Sequence, residues 1–373
     1  MIDPQNPIVI NVSAVKPTSV SDLIRKFGLI CFNTTNLGAG NQKAVFASDW
    51  KTVVTEAEDF DNRFCAAYFQ ANPNGVLYLL ECGEVTDAET METALNEAKD
   101  FIDEGTNPVY LYQIGGNVVA TEEAAPKYAA FFANYATEGS LQNFGLSFKL
   151  SEVLTATLPT ESCVFTSTED DATIGKTAGA IVGIMASSSY NISQTNQMTP
   201  LQYKRISFLT PLNPTVSNKN SLTEKNVNWI GVFNGENCIM IGKYANGQAW
   251  DFRFSTDSFI LRAKAFLESR IYNAANVSAA RLPYSQRGID MLLDVVNGQA
   301  DYCISVGFLT EYGESLADDL TTIVNPGSFF AIPFAEYIAA NPDKYADEIY
   351  DGISGVVRVG RFFRQVIINV TLV

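Results

Sequence analysis

Val76–Ile114 reads VLYLLECGEVTDAETMETALNEAKDFIDEGTNPVYLYQI, and its three parts decide the fold class. Val76–Leu80 is a short continuous apolar run, the pattern of a strand buried on both faces. Thr86 and Glu89 stand three apart ahead of an apolar stripe, the spacing of a capping box. The helix they open places Met91, Leu95, Ala98 and Ile102 on one face, and Gly105 ends it. Val109–Ile114 returns to strand. A strand, a helix and a second strand in this order make the unit that joins parallel neighbours in a sheet.

The same alternation extends in both directions. Upstream, Phe27–Phe32 (FGLICF) reads as a buried strand and Asn33–Lys43, with Gly38 and Gly40, as a loop. Ser48 can cap a short helix carrying Trp50, Val53 and Val54. Asp61–Ala71 repeats Phe64, Ala67 and Tyr68 at helical spacing until Pro73, Asn74 and Gly75 stop it. Downstream, Glu122–Tyr135 is a helix with Tyr128, Phe131, Phe132 and Tyr135 as its packing face. Phe144–Leu150 and Val164–Ser167 are further strands. The expected class is α/β, a mixed, largely parallel sheet with flanking helices.

Residues 186–228 are rich in Ser, Thr, Asn, Gln and Pro and read as polar surface loops, with a strand-like island at Ile206–Leu209. A β meander is expected over 228–254. Asn228–Phe233 and Cys238–Tyr244 join through Asn234-Gly235, a strong hairpin signal. Asn246-Gly247 then leads to a third strand, Ala249–Phe254. Asp257–Tyr272 and Gly288–Val296 read as helices, Tyr302–Leu309 as a strand and Phe334–Ala340 as helix-like. The expected domains are an α/β domain over 18–252 and a smaller C-terminal α+β domain over 253–355.

Extended β arms are expected at both termini, over 1–17 and 356–373. Ile8, Ile10 and Val12 form one apolar face at the start, and Ile368, Val370 and Leu372 form one at the end. Alternation of this kind marks a half-buried strand, and a strand at a terminus needs a pairing partner. These six residues are the candidate inter-subunit strand positions. After Asp351 the chain carries no acidic residue, but it carries Arg358, Arg361 and Arg364. These three are candidate interface charges, because the arginine fork pairs with carboxylates bidentately.

Composition narrows the function. Of the 373 residues, 47% are hydrophobic and 18% charged, which suits a globular core rather than disorder. The net charge of −16 argues against nucleic acid as a partner. The chain has no histidine, so Ser-His-Asp and Cys-His nucleophilic catalysis are excluded. Six scattered cysteines form no CxxC pair, and reduced, buried thiols are expected. The N-terminus lacks a signal-peptide pattern, and no apolar run reaches the roughly 18 residues of a membrane span. Membrane insertion is therefore not expected.

Three motifs give no chemistry. Gly175-Lys176-Thr177 resembles the end of a phosphate loop, but Glu169, Asp170 and Asp171 would repel phosphate there. Gly38-Ala39-Gly40 lacks the third glycine and acidic partner of a dinucleotide fingerprint. Glu56, Glu58, Asp59 and Asp61 lack calcium-loop spacing and read as a solvated acidic surface. No catalytic residue, cofactor or metal site is expected, and the chain is read as a non-enzyme.

The order of features resembles the contractile tail sheath proteins of myovirus-like phages. The resemblance rests on Phe60–Leu80 (FDNRFCAAYFQANPNGVLYLL), Gly242–Phe254 (GKYANGQAWDFRF), Leu282–Asp290 (LPYSQRGID) and the placement of Gly355–Val373. It differs in lacking the family's small-residue-plus-His stretch at Gly355–Val359. Pro283 and Gly288 are read as structural. The resemblance implies a virion tail subunit, assembled in the host cytoplasm, that polymerises with copies of itself around a tail tube. Strand exchange would link the copies, and contraction would drive the tube through the host envelope. Baseplate and tail terminator proteins would be further partners. Alternatives are a tail tube or baseplate structural protein, or an α/β ligand-binding domain.

Overall fold

The computed structural model describes residues 26–54, 60–105, 108–116, 124–135, 141–160, 162–167, 171–188, 200–277, 281–310, 315–316, 323–324 and 327–359. The chain divides into two compact units between Arg253 and Phe254.

The larger unit is built on a six-stranded sheet. Its strands are β1 (Phe27–Phe32), β2 (Asn41–Val45), β3 (Leu77–Cys82), β4 (Leu111–Ile114), β5 (Asn143–Phe148) and β6 (Ser162–Thr166), in the order β2-β3-β1-β4-β5-β6. All pairings are parallel except that of edge strand β2 with β3. This is the mixed, largely parallel sheet expected. The helices are α1 (Phe60–Ala71), α2 (Ala88–Glu104), α3 (Ala124–Ala133), α4 (Leu150–Thr155) and α5 (Asp171–Ser188).

Period-2 alternation sorts the sheet's side chains into two cores. Ile30, Leu80, Tyr112, Phe144 and Val164 pack with Met91, Leu95 and Ala98 of α2 and Tyr128, Phe131 and Phe132 of α3. Gly28 lies on this face because a Cβ there would strike the Tyr112 ring at 2.6 Å. Phe131 and Phe132 meet Phe144 edge-on at 5.0 and 5.1 Å between centroids, a favoured arrangement of ring quadrupoles.

On α1 and α5, glycines set the packing distance. A methyl added at Gly175 or Gly183 would lie 2.6 or 2.7 Å from the carbonyl oxygens of Phe60 and Tyr68. At Gly179 it would lie closer still to that of Phe64. Three glycines at intervals of four form one stripe, so the α5 backbone rests directly on the α1 backbone. The rings of Phe60, Phe64 and Tyr68 stack in succession at 6.2 and 6.3 Å. The Gly175–Thr177 tripeptide lies inside this helix, and the Thr177 hydroxyl donates to the Thr173 carbonyl at 3.0 Å.

Residues 200–249 are more ordered than their polar composition suggests. They hold α6 (Val216–Glu224) and the antiparallel hairpin β7 (Trp229–Phe233) and β8 (Glu236–Met240). Leu201, Ile206, Leu209, Leu222 and Val227 are buried, so the expected surface loops carry a core of their own. Ile206–Leu209 is not a strand; it lies next to the Arg205–Cys238 bridge. Asn228 joins this region to the main sheet. Its Nδ2 donates to the carbonyls of Val164 and Lys243 at 3.1 and 2.8 Å. Its Oδ1 accepts from the amides of Gly242 and Lys243 at 2.8 and 3.1 Å. All four bonding positions of a fully buried amide are used, which removes the cost of burying it.

Three sequence readings are corrected. The third meander strand over Ala249–Phe254 is absent: α7 runs Trp250–Asn276. Ala249 makes one bridge to Lys243, and its carbonyl then accepts from Phe252 and Arg253, opening the helix. The alternation of Trp250, Phe252 and Phe254 mimicked a strand, but burial of Trp250, Phe254 and Ser258 follows the helical interval. Tyr302–Leu309 is also mostly helix. α8 spans Gln286–Ser305 and ends in Gly307 at φ +80°, with Phe308 N–H on the Cys303 carbonyl and Gly307 N–H on that of Ile304. That is a Schellman closure. The cap of α2 is Asp87 with Thr90, one residue beyond the expected Thr86–Glu89 pair: Asp87 accepts from the Thr90 amide at 2.9 Å and donates its own amide to the Thr90 hydroxyl at 3.0 Å.

The smaller unit contains most of α7, then α8, β9 (Ser315–Leu316), β10 (Ile323–Val324), β11 (Ser328–Ala331), α9 (Phe334–Ala340), α10 (Pro342–Ala346) and β12 (Ile353–Val356). Within it the half-buried Arg262 guanidinium lies over the Tyr302 ring at 3.8 Å, with Nη2 donating to Gln299 at 3.1 Å.

The glycine stripe makes a test. Gly179→Ala should lower stability by about 1–3 kcal/mol, the usual range for overpacking, read by thermal or denaturant unfolding. Gly298→Ala, in α8 with open space around it, should instead raise stability by about 0.5–1 kcal/mol. Equal responses at the two sites would refute the close-packing account.

Candidate functional site

The strand positions Ile8, Ile10, Val12, Ile368, Val370 and Leu372, and the charges Arg361 and Arg364, lie outside the described residues. Arg358 is described. Its carbonyl accepts from the Thr310 amide at 2.8 Å, and Val359 beside it bridges Leu309 in antiparallel sense. The chain following β12 is thus held again at Arg358 and Val359.

The element before it is a two-stranded sheet. β11 and β12 pair antiparallel with Phe329 opposite Gly355 and Phe330 opposite Ser354. Gly327 donates to the Val356 carbonyl at 2.7 Å and Ile332 to that of Gly352 at 2.9 Å, bracketing the ladder. A Cβ at residue 355 would sit 2.5 Å from the Phe329 ring, so glycine there lets the ring lie across the partner strand. Phe329 stacks on Phe259 at 5.6 Å. The opposite face carries Phe330, 58% exposed.

Aromatic residues hold the connection between these strands. The Tyr350 hydroxyl donates to the Ile332 carbonyl at 2.6 Å and that of Tyr284 to the Ile349 carbonyl at 2.7 Å. Tyr337 donates to Asp351 at 2.5 Å, and Lys344 forms an ion pair with the same carboxylate. Gln286 accepts from the Phe334 amide at 2.7 Å. Gly288 lies against the Pro283 carbonyl, where a side chain has no room. The segment Leu282–Asp290, which carried much of the resemblance, thus has a positioning role here.

The larger unit has the place where parallel α/β sheets put ligands, the carboxyl ends of strands flanking a reversal of strand order. In this chain it lies at β1 and β4, and two carboxylates of the protein bond to the backbone and hydroxyls of the loops beside it. Asp61, 1% exposed, accepts from the Thr34 hydroxyl at 2.6 Å and the Gly116 amide at 3.2 Å. Glu81, 2% exposed, accepts from the Thr35 amide at 2.8 Å, from its hydroxyl and from the Asn33 amide. Asp61 is therefore not part of a solvated acidic surface; Glu56, Glu58 and Asp59 lie outside the described residues. Burial raises the pKa of all six cysteines, with Cys303 pushed up to about 12, so these thiols stay protonated and weakly nucleophilic. Among the described residues no cluster of three or more acidic or cysteine side chains is arranged to hold a metal ion. No described helix is long and apolar enough to cross a membrane.

Asp351 makes a pH test. Hydrogen bonding from Lys344, then from Tyr337, holds its carboxyl below its ordinary range. A lowered carboxylate pKa adds stability above the ordinary value, and that share is lost as pH falls through the native value. Asp351→Asn should lower the thermal midpoint near neutral pH, and the two proteins should converge only as pH falls below the ordinary carboxylate value and through the lowered native one. With the pair half exposed, the effect should be about 1 kcal/mol or less. A gap of unchanged size at pH 3 would sink the ionic explanation.

No protein-family model matches the chain, and no curated protein sequence matches it. Solved structures do. The helical sheath of the anti-feeding prophage, in its contracted state, aligns over 99% of this chain and 99% of that one, with a TM-score of 0.59 at 12% identity. A sheath tail protein of Desulfitobacterium hafniense aligns over 84% of this chain and 94% of that one, at 9% identity and a TM-score of 0.49. Over nearly its whole length, the chain has the fold of a helical-sheath subunit.

Proposed function

We propose that the protein is the structural subunit of a contractile tail sheath. The observation that carries this is the whole-length match of both units to the subunit of a helical sheath. Copies assemble around a tail tube, and the sheath shortens to drive the tube through the host envelope. The baseplate and tail terminator bound the polymer, and the site of action is the virion tail, assembled in the host cytoplasm. The match to a sheath subunit also supports a structural rather than an enzymatic role.

The copies are joined by strand exchange. The arms over 1–17 and 356–373 carry the period-2 pattern, with Ile8, Ile10 and Val12 at one end and Ile368, Val370 and Leu372 at the other. The β11–β12 sheet supports this reading, since two strands alone are marginal and gain by extension. Added strands bind by main-chain hydrogen bonds and take their register from alternate side chains. Such a joint holds while whole subunits rotate, which lets a metastable packing pass to a more stable one without dissociation.

The full chain should form sleeves or rings in negative-stain micrographs. Versions lacking residues 7–15 or 362–373 should stay monomeric while keeping native circular dichroism. Polymers of undiminished length from both truncations would overturn strand exchange.

The arginines give an independent test. Arg358→Glu, Arg361→Glu and Arg364→Glu together should weaken assembly most at low ionic strength, where like charges are least screened. Salt should then partly restore it. Assembly equal to wild type at all salt concentrations would show that these arginines do not meet an acidic partner surface.

A further inference from the structure

The β7–β8 hairpin of the larger unit ends in apolar groups that face water. Val232 and Phe233 are both exposed beside the Asn234-Gly235 turn. The Tyr203 ring lies flat on that of Phe233, with centroids 4.1 Å apart and planes within 17°. Tyr203 is held there at φ +68°, a backbone conformation rare for a bulky residue, and its amide donates to the Ile239 carbonyl at 2.7 Å. Aromatic area left in water forgoes the stabilisation that burial gives, so this pair is set for contact with something outside the copy.

The hairpin belongs to a basic region. Residues 200–249 carry Lys204, Arg205, Lys219, Lys225 and Lys243 against Glu224 and Glu236, a positive surplus in a chain of net charge −16. The opposite chemistry stands on α2. That helix ends in Asp100, Asp103 and Glu104 with no basic residue in its last turn. Lys99 pairs with Asp103 at 2.8 Å, and the acidic surplus remains. The negative end of a helix dipole normally attracts cations, so this turn adds like charge to like. Phe101 and Ile102 lie half-buried among these carboxylates.

The two surfaces cannot serve each other within one copy. α2 packs on β3 and α3, whereas α6 packs on α4 and Asn228 continues β6. From β3 to β6 the sheet steps across four strand spacings, roughly 19 Å. That exceeds the screening length of about 8–10 Å in physiological salt.

We infer that the β7–β8 hairpin of one copy docks on the C-terminal end of α2 in a second copy of this chain. Tyr203, Val232 and Phe233 meet Phe101 and Ile102, and the basic region faces Asp100, Asp103 and Glu104. The inference rests on the sheath reading and deepens it, adding a contact between folded surfaces to the one made by the arms. Because the two patches differ, the contact is head-to-tail and repeats from copy to copy. β7 leaves Asn228 in the same sense as β6, so the hairpin points toward the carboxyl ends of the strands. α2 ends where the chain turns back to begin β4, toward their amino ends. Joining these diagonal corners shifts each copy along the strands as well as sideways, the geometry of a helix rather than a closed ring.

The test is disulfide trapping between full-length copies, since the native cysteines are buried. One copy carries Asn234→Cys and the other Asp100→Cys, both at exposed positions. Thr223→Cys, exposed on α6, replaces Asn234→Cys as the control. The expected result is a crosslinked dimer several-fold more abundant from Asn234→Cys than from Thr223→Cys. Phe233→Asp should raise the protein concentration at which sleeves form by about tenfold. Sleeves that form with no excess of the Asn234→Cys product would overturn the inference and leave the sheath reading standing. Natively folded Phe233→Asp protein that forms sleeves at the wild-type concentration would do the same, and where this variant fails to fold the crosslink decides. Full-length protein that never polymerises would overturn the sheath reading itself, and the inference with it.

Discussion

The backbone-on-backbone contact of α1 with α5 governs the larger unit. Three glycines at intervals of four bring one helix onto the carbonyl oxygens of Phe60, Phe64 and Tyr68. At that separation Cα–H groups reach carbonyl oxygens and dispersion is nearly maximal, each contact small and the sum large. The position of α1 has a consequence at its first turn. Asp61 is set against the ends of β1 and β4, where it grips Thr34 and Gly116. Gly115 and Gly116 follow from the same closeness, since a Cβ at Gly115 would meet the Ile30 carbonyl and one at Gly116 the Phe60 side chain. Helix packing thus sets the Asp61 carboxylate at the strand ends where other parallel sheets bind ligands, and Glu81 of β3 holds the loop after β1 from the other side. Because both carboxylates are hydrogen-bonded to backbone amides and hydroxyls, they fix the loop after β1 without leaving a charge uncompensated.

Much of this was legible in the sequence where a pattern depends only on near neighbours. FGLICF became β1 residue for residue, because a six-residue apolar run is too short for a buried helix and suits a central strand. The α2 and α3 packing faces were readable from their apolar intervals. α5 was not read as a helix: its glycines lower helix propensity, and the partner that justifies them stands more than a hundred residues earlier in the chain. α7 was misread at its start because Trp250, Phe252 and Phe254 satisfy both periods, and only the turn at Gly247 and Ala249 decides between them. The strand expected at Tyr302–Leu309 failed because its apolar residues close α8 and Gly307 ends it.

The surroundings of Arg358 and of the β11–β12 sheet were little legible in the sequence. Arg358 could be picked out as a charge, yet its backbone pairing with Thr310 depends on a contact across about fifty residues that no local pattern encodes. Asn297 has no signature at all. In sequence it is one asparagine in the middle of a helix, where asparagine is a poor helix former. Its place makes sense only once Phe329 is known to present an outward amide and carbonyl at that height. Pro283 and Gly288 were legible as structural residues, and the close approach of Gly288 to the Pro283 carbonyl shows why no larger residue suits.

A comparison of sheet edges connects these findings. Exposed backbone edges invite pairing with other chains, and folded proteins usually cover them. In the larger unit β2 carries exposed Asn41 and Lys43 at one edge, and Asn228 continues the other by bonding to Val164 and Thr166. The β7–β8 hairpin is flanked on both sides: Leu212 donates to Ile230 on β7, while Lys204 and Ile206 bond to Ile239 and Asn237 on β8. In the smaller unit Asn297 occupies β11. Among the described residues, β12 pairs with β11 and with no third strand. Main-chain groups of neighbouring segments cover the edges of β6, β7 and β8, and a side-chain amide covers that of β11. Such covering limits indiscriminate pairing, because backbone hydrogen bonding by itself does not discriminate between partners.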